Sequence, residues 1–157
     1  MLVIADSSPV IVLVNIGHVD VLPSLFGEVI IPAQVASELS RPSRPTAVRT
    51  FISNCPAWLH IRTPTWAEQI PLLQEGETAA INLAAELKAD LLLIDEVQGR
   101  RAAKERSIPL TGTIGVLELA ATARLLDLQE AFERVKKTDF WISHRLLDER
   151  LRLHRGK

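Results

Sequence analysis

Four acidic side chains stand where they could build one centre: Asp6, Glu38, Glu77 and Asp95. Two of them directly follow apolar runs, in LVIADSS (2–8) and LLLIDE (91–96). A buried parallel strand ending on a carboxylate delivers it to the sheet edge where open α/β folds bind ligands. Glu38 lies on the helix after a second strand, and Glu77 opens an alanine-rich helix. Each acid also has an ordinary reading. Strand-end aspartates make turns and caps, Glu38 suits a solvated helix face, and Glu77 suits a first turn facing the helix dipole. Glu96 is a fifth acid, directed away from Asp95 if the strand continues.

Gathering carboxylates in one cleft is unfavourable without a counter-charge. Two unit charges ~5 Å apart at an effective dielectric near ~20 repel by about 3 kcal/mol. Such a cluster either holds protons at raised pKa or binds a cation. Oxygen-only ligation points to Mg2+ or Mn2+ rather than Zn2+. A divalent ion there would activate water and neutralise charge on a phosphate.

The elements that must position these acids follow from pattern and punctuation. LVIA (2–5), EVIIP (28–32), LLLI (91–94) and IPL (108–110) read as strands, with a short apolar stretch WLHI at 58–61. SSPVIVLVNIG is β-branched, which favours strand. Its punctuation favours helix, with Ser8 as N-cap, Pro9 at the first helical position and Gly17 past the end. We read it as helix. Further helices are expected at 19–25, from Pro32 through Ser40, at 47–53, 76–90 and 97–107, from Thr113 to near Leu126, and at 128–137 and 143–155. RPSRPT (41–46) is linker-like, and 62–76 is loop-rich with Pro64 and Pro71. Strands apolar on both faces, alternating with helices, predict a three-layer α/β/α domain: a central parallel sheet with a helical C-terminal tail. A single domain over 1–157 is expected, with its core in 1–125 and tail helices in 128–155.

Composition removes several classes of function. The chain has 157 residues, 47% of them hydrophobic, and a formal net charge of −1, so it is neither disordered nor a purely electrostatic nucleic-acid coat. One cysteine, Cys55, excludes an internal disulfide and multi-cysteine metal sites, and reads as a small half-buried hydrophobe. No apolar run approaches the ~18 residues of a membrane span. Asp6 comes too early for a signal peptide, so a cytoplasmic location is expected. P-loop, GxGxxG, GxSxG and HExxH signatures are absent, and the four histidines are scattered.

Arg100, Arg101, Lys104 and Arg106 follow Asp95 closely and could offset RNA phosphates, or simply form a solvated helix face. Ser8 and Thr113 could contact a metal-bound water; for Thr113 a helix N-cap is the favoured role. Trp58, Trp66 and Trp141 could stack on bases, although packing in a core or interface is favoured. The last helix carries arginines and leucines, and is expected to pack on its own domain rather than receive a partner helix.

In this order and spacing, Asp6, Glu38, Glu77 and Asp95 resemble the acids of PIN-domain ribonucleases. The step from Glu77 to Asp95 is eighteen residues, which fits that family's third and fourth acids. VIADSSPVIVL resembles its opening motif, and EVIIPAQVASEL its second strand and acid-bearing helix. GETAA, LLIDE and TGTIG are similar to GEAEA, LLIDD and TGTLG of a prokaryotic PIN-like branch. The resemblance covers roughly residues 1–125. It implies an Mg2+- or Mn2+-dependent endoribonuclease, with a VapC-like toxin, a small antitoxin and a homodimer as its setting. Glu77 stands where many of these nucleases carry aspartate, LLIDE replaces a double aspartate, and the 41–75 connection is longer than in compact PIN toxins. Glu77 and Glu96 favour an alternative, a catalytically weak module that binds nucleic acid or antitoxin, while the 41–75 connection could carry substrate or partner contacts or merely decorate the edge. A phosphorylatable receiver-like domain would want an acidic pair after the first strand, where LVIADSS offers one acid.

Overall fold

The computed structural model describes residues 1–156. Five short parallel strands form one sheet: β1 (Val3–Ala5), β2 (Val29–Pro32), β3 (Leu59–Arg62), β4 (Leu91–Leu93) and β5 (Leu110–Thr111). Their spatial order is β3-β2-β1-β4-β5. Successive strands run outward from β1 in one direction and from β4 in the other, so the topological switch lies between β1 and β4. Val3, Ile4 and Ala5 pair with Leu91, Leu92 and Leu93 there.

Strand residues alternate between two cores, as the period-2 geometry of a strand demands. Val3, Ala5, Val29, Ile31 and Leu93 face one cluster, which also takes residues from α1 (Ser7–Asn15), α2 (Val21–Phe26), α3 (Ala33–Leu39), α4 (Thr46–Ser53), α7 (Thr113–Thr122), α8 (Leu128–Lys136) and α9 (His144–Arg155). Ile4, Leu92 and Ile94 face the other, built from α5 (Glu75–Leu87) and α6 (Val97–Glu105). This is the three-layer α/β/α fold expected from the sequence. The WLHI stretch becomes edge strand β3, paired with β2 over Leu59–Arg62.

Element edges differ from expectation in instructive places. Asp6, not Ser8, is the N-cap of α1, and Pro9 lies inside the first turn. Pro is tolerated there because the first four helical N–H groups have no intrahelical partner. Gly112, not Thr113, is the N-cap of α7, and that helix stops at Thr122 rather than near Leu126. Helices α5 and α6 also end early, at Leu87 and Glu105. The chain leaves these three helices through Lys88 (φ 51°), Ser107 (φ 58°) and Arg124 (φ 60°), left-handed residues that are not glycine. Cys55 is exposed rather than half-buried. Among the described residues no helix is long and apolar enough to cross a membrane.

The connection 62–74 is strapped to α5. Glu68 exchanges two backbone bonds with the Asn82 amide (3.0 and 2.9 Å), and Thr65 bonds Glu86. The tail is fastened to α7 by a two-pronged Arg150–Glu118 pair (3.0 and 2.7 Å).

Candidate active site

β1 and β4 each release the chain at the switch point, and each releases it onto an aspartate. Asp6 is 3% exposed, and its backbone N–H donates to the carbonyl of Leu93 at 2.9 Å, locking the two strand ends together. Its side-chain Oδ1 is buried without a hydrogen-bond partner. Burial first, and then the nearby charges of Glu38, Asp95 and Glu96, push Asp6 from its ordinary 3.8 up to about 7; the Ser7 backbone N–H offsets this only in part.

Glu77, in the first turn of α5, is likewise raised, from 4.5 to about 7. Desolvation is the main cause, followed by the charges of Asp6, Glu96 and Glu38, with the approach of the Glu96 carboxyl the smallest contribution. Glu38 is buried on α3, and its carboxylate lies against the start of α5. A Cβ on Gly76 would stand 1.9 Å from its Oε1, so a side chain at 76 would displace this acid.

Asp95 is differently housed. Its Oδ1 accepts from the Thr113 backbone N–H (2.8 Å), and its Oδ2 from the Thr113 hydroxyl (2.7 Å) and the Ser8 hydroxyl (3.0 Å). Ser8 and Thr113 therefore anchor Asp95, and neither is a helix cap. Gly112 makes room for this: a Cβ there would stand 2.6 Å from Asp95 Oδ1 and 2.8 Å from Arg100 Nη1.

Glu96 does not extend the strand. It is the N-cap of α6, accepting from the Gly99 N–H at 2.8 Å, and so turns toward Glu77. Within the basic helix, Arg100 faces the site and donates to the Ile94 carbonyl at 3.2 Å. Arg101 and Lys104 are exposed, and Arg106 lines a groove on another side with Trp66 and Glu86. Sequence reasoning missed Arg44, whose Nε donates to the Glu38 carbonyl (3.2 Å) from the linker-like 41–46 stretch. The two arginines exposed by that stretch were its signal. Of the tryptophans, core packing describes Trp58 alone, which lies against Phe51 with ring centroids 5.9 Å apart; Trp66 and Trp141 are exposed.

A parallel five-stranded sheet with acids at its switch point defines a three-layer α/β/α domain whose chemistry belongs to the crevice between β1 and β4. The chain belongs to the PIN domain family, whose model it matches over residues 2–155. It is similar in structure to a PilT N-terminus domain protein from the hyperthermophilic archaeon Sulfolobus solfataricus P2. That likeness has a TM-score of 0.57 at 18% identity and covers 81% of this chain and 95% of the other. No curated protein matches the chain. PIN domains have a nuclease-type fold and typically bind divalent metals.

Among the described residues, no three His, Cys, Asp or Glu side chains stand in an arrangement that could hold an ion in the conformation described. Asp95 is meanwhile engaged by the hydroxyls of Ser8 and Thr113. The donor chemistry nevertheless fits a hard cation. The acids offer oxygen alone, Asp6 Oδ1 is an orphan, and burial and neighbouring carboxylates raise Asp6 and Glu77 with no cationic side chain among the causes.

Proposed function

We propose that this chain is a divalent-metal-dependent endoribonuclease that hydrolyses RNA phosphodiesters. The observation that supports this most is the pair Asp6 and Glu77. They come from elements seventy residues apart and converge on one crevice, and both are raised to about 7 with carboxylates, not cations, as their charged neighbours. Desolvated carboxyls in that state are poised to exchange protons for a cation. Asp6, Glu38, Glu77 and Asp95 would hold Mg2+ or Mn2+. The bound ion supplies charge neutralisation on the scissile phosphate and a source of nucleophilic water. Asp95, already oriented by Ser8 and Thr113, provides the rigid side of the centre. Arg100, and Arg101 beyond it, offset phosphate charge along the strand being cut.

The setting we propose is a toxin of a toxin–antitoxin pair, cytoplasmic, homodimeric and restrained by a small antitoxin protein. Growth arrest on expression, relieved by Asp6→Asn, is the expected outcome; harmless accumulation of folded wild-type protein counts against the toxin role. For the nuclease itself the test is a labelled RNA mixture with Mn2+, followed alongside thermal melting. Wild type is expected to cut and to melt higher with Mn2+. Unchanged cutting by Asp6→Asn and Glu77→Gln removes this reading.

A second reading has its own support: a catalytically weak module that binds nucleic acid or antitoxin. Among the described residues no three acids stand in an arrangement that would hold an ion. No metal-dependent melting shift and no cleavage of any RNA, with RNA binding retained, would favour it.

A further inference from the structure

The segment between α8 and α9 was given no role by the acid constellation, yet it borders the same crevice. We propose that Trp141 is a nucleobase platform that seats one unpaired nucleotide of a single-stranded RNA beside the acid centre. This rests on the endoribonuclease reading and names the form of substrate that the site accepts.

Trp141 is 96% exposed, the most exposed large apolar side chain of the molecule. It is not on a loose loop. Its neighbours Phe140 and Ile142 pack against the main core cluster. Thr138 ties the segment down, donating from its hydroxyl to the Val135 carbonyl (2.7 Å) and accepting from the Phe140 N–H (3.2 Å). Immediately after it, Ser143 caps α9 by accepting from the Leu146 N–H. An indole held outward between two half-buried residues that pack on the core is pre-ordered for stacking, and the exposed ring gains from covering by any base.

Position adds the second argument. Trp141 is the ridge between two grooves. One, of about 500 Å3, leads to Asp95 and Arg100; the other, of about 290 Å3, leads to Ser8 and Arg44. Both therefore end at the Asp95 side of the crevice, and each has a guanidinium along it. The Arg150 guanidinium in the first groove is engaged by Glu118, whereas Arg100 meets only a backbone carbonyl among its hydrogen bonds. Aromatic face and guanidinium together suit a base with its phosphate. A second copy of the chain or a partner helix would favour the leucines of α9 instead, and that is the rival outcome.

The test uses full-length protein in EDTA, where nothing is cut, with a fluorescein-labelled single-stranded RNA of about six nucleotides, within the range of ~4–16 that one such groove spans. Trp141→Ala is expected to weaken binding about ten-fold or more, while Trp141→Phe restores most of it and Trp66→Ala leaves it unchanged. A duplex of the same sequence should bind Trp141→Ala and wild type alike. In Mn2+, the alanine variant should raise KM more than it lowers kcat. Equal single-strand binding by wild type and Trp141→Ala overturns the proposal, as does no measurable binding by wild type. So does loss of a dimer in sedimentation with RNA affinity intact. Metal-dependent cleavage that ignores Trp141→Ala removes the platform and spares the nuclease. Weakened single-strand binding in a chain that cuts nothing keeps the platform and removes the nuclease.

Discussion

At the end of β1, Asp6 is 3% exposed and one of its oxygens has no partner; at the end of β4, Asp95 is half-buried and takes three hydrogen bonds. The local sequences are alike, an apolar run stopping on aspartate. Their electrostatic fates differ because of what comes in from elsewhere in the chain. Asp95 receives the first N–H of α7 and two hydroxyls, which fix the direction of its carboxylate. Asp6 receives the flank of α5 and the charge of Glu38. One aspartate is thus held in place by three donors, and the other is left unsettled, buried with an unpartnered oxygen and a raised pKa. A site that must take up and release a cation needs both, a stable edge to dock against and a group whose state the cation changes.

The largest effect should come from breaking the unsettled member. Asp6→Asn is expected to lower Mn2+-dependent RNA cleavage at least about 100-fold, equivalent to roughly 2.7 kcal/mol of barrier. It should also abolish the Mn2+-induced rise in melting temperature. Asp95→Asn should lower cleavage too but retain part of that rise, since Asp6 and Glu77 persist. If the two variants lose metal response equally, the division between them is wrong.

Proton linkage gives the next largest contrast. In the folded chain Asp6 holds its proton to about pH 7, against 3.8 for its ordinary value. A raised folded pKa contributes stability in full below the unfolded value and loses it as pH climbs through the folded one. At ~1.36 kcal/mol per pH unit the rise corresponds to roughly 4 kcal/mol. Because Glu77 and its neighbours titrate with it, about 2 kcal/mol is the expectation for Asp6 alone. Without metal, Asp6→Asn should match wild type near pH 4 and be more stable by about 2 kcal/mol at pH 8. Urea melts in EDTA at both pH values measure this; a variant less stable than wild type at pH 8 would mean that the Asp6 charge is compensated by a group not named above. Divalent cation should close the gap in wild type alone.

The legible part of this molecule was the apolar pattern and the order of the acids. β1, β2 and β4 show as runs such as LLLI because interior parallel strands are buried on both faces, whereas of the two edge strands β5 is half-buried and β3, with three of its four residues exposed, appeared only as an apolar stretch. Asp6 and Asp95 were placed by strand ends, and Glu77 by the alanine-rich helix it opens. Helix stops were not legible where Lys88, Ser107 and Arg124 adopt left-handed φ, a conformation whose usual marker is glycine. Nor were the roles of Thr113 and Glu96. A threonine before an apolar run and a glutamate after a strand both carry local capping signals, and only the fold decides which signal is used. Thr113 gave its hydroxyl to an aspartate eighteen residues away, while Glu96 took the cap that the sequence had not assigned to it.

The anchors of Asp95 offer the smallest and sharpest separation. Thr113 is fully buried and supplies both a hydroxyl and a backbone N–H, whereas Ser8 is half-buried and supplies a longer hydroxyl bond. Thr113→Val keeps shape and backbone donor but strips the hydroxyl from a charged acceptor, which should cost about 1.5–3 kcal/mol at pH 8. Ser8→Ala should cost only about 0.5–1.5 kcal/mol, since water can replace a bond in a partly open position. Both losses should shrink in an Asp95→Asn background, and neither should shrink in Asp6→Asn, because the hydroxyls serve one aspartate and not the other. A double-mutant cycle in which Ser8→Ala couples to Asp6 more strongly than to Asp95 would show that the two carboxylates share their support, and the contrast drawn between them would fall.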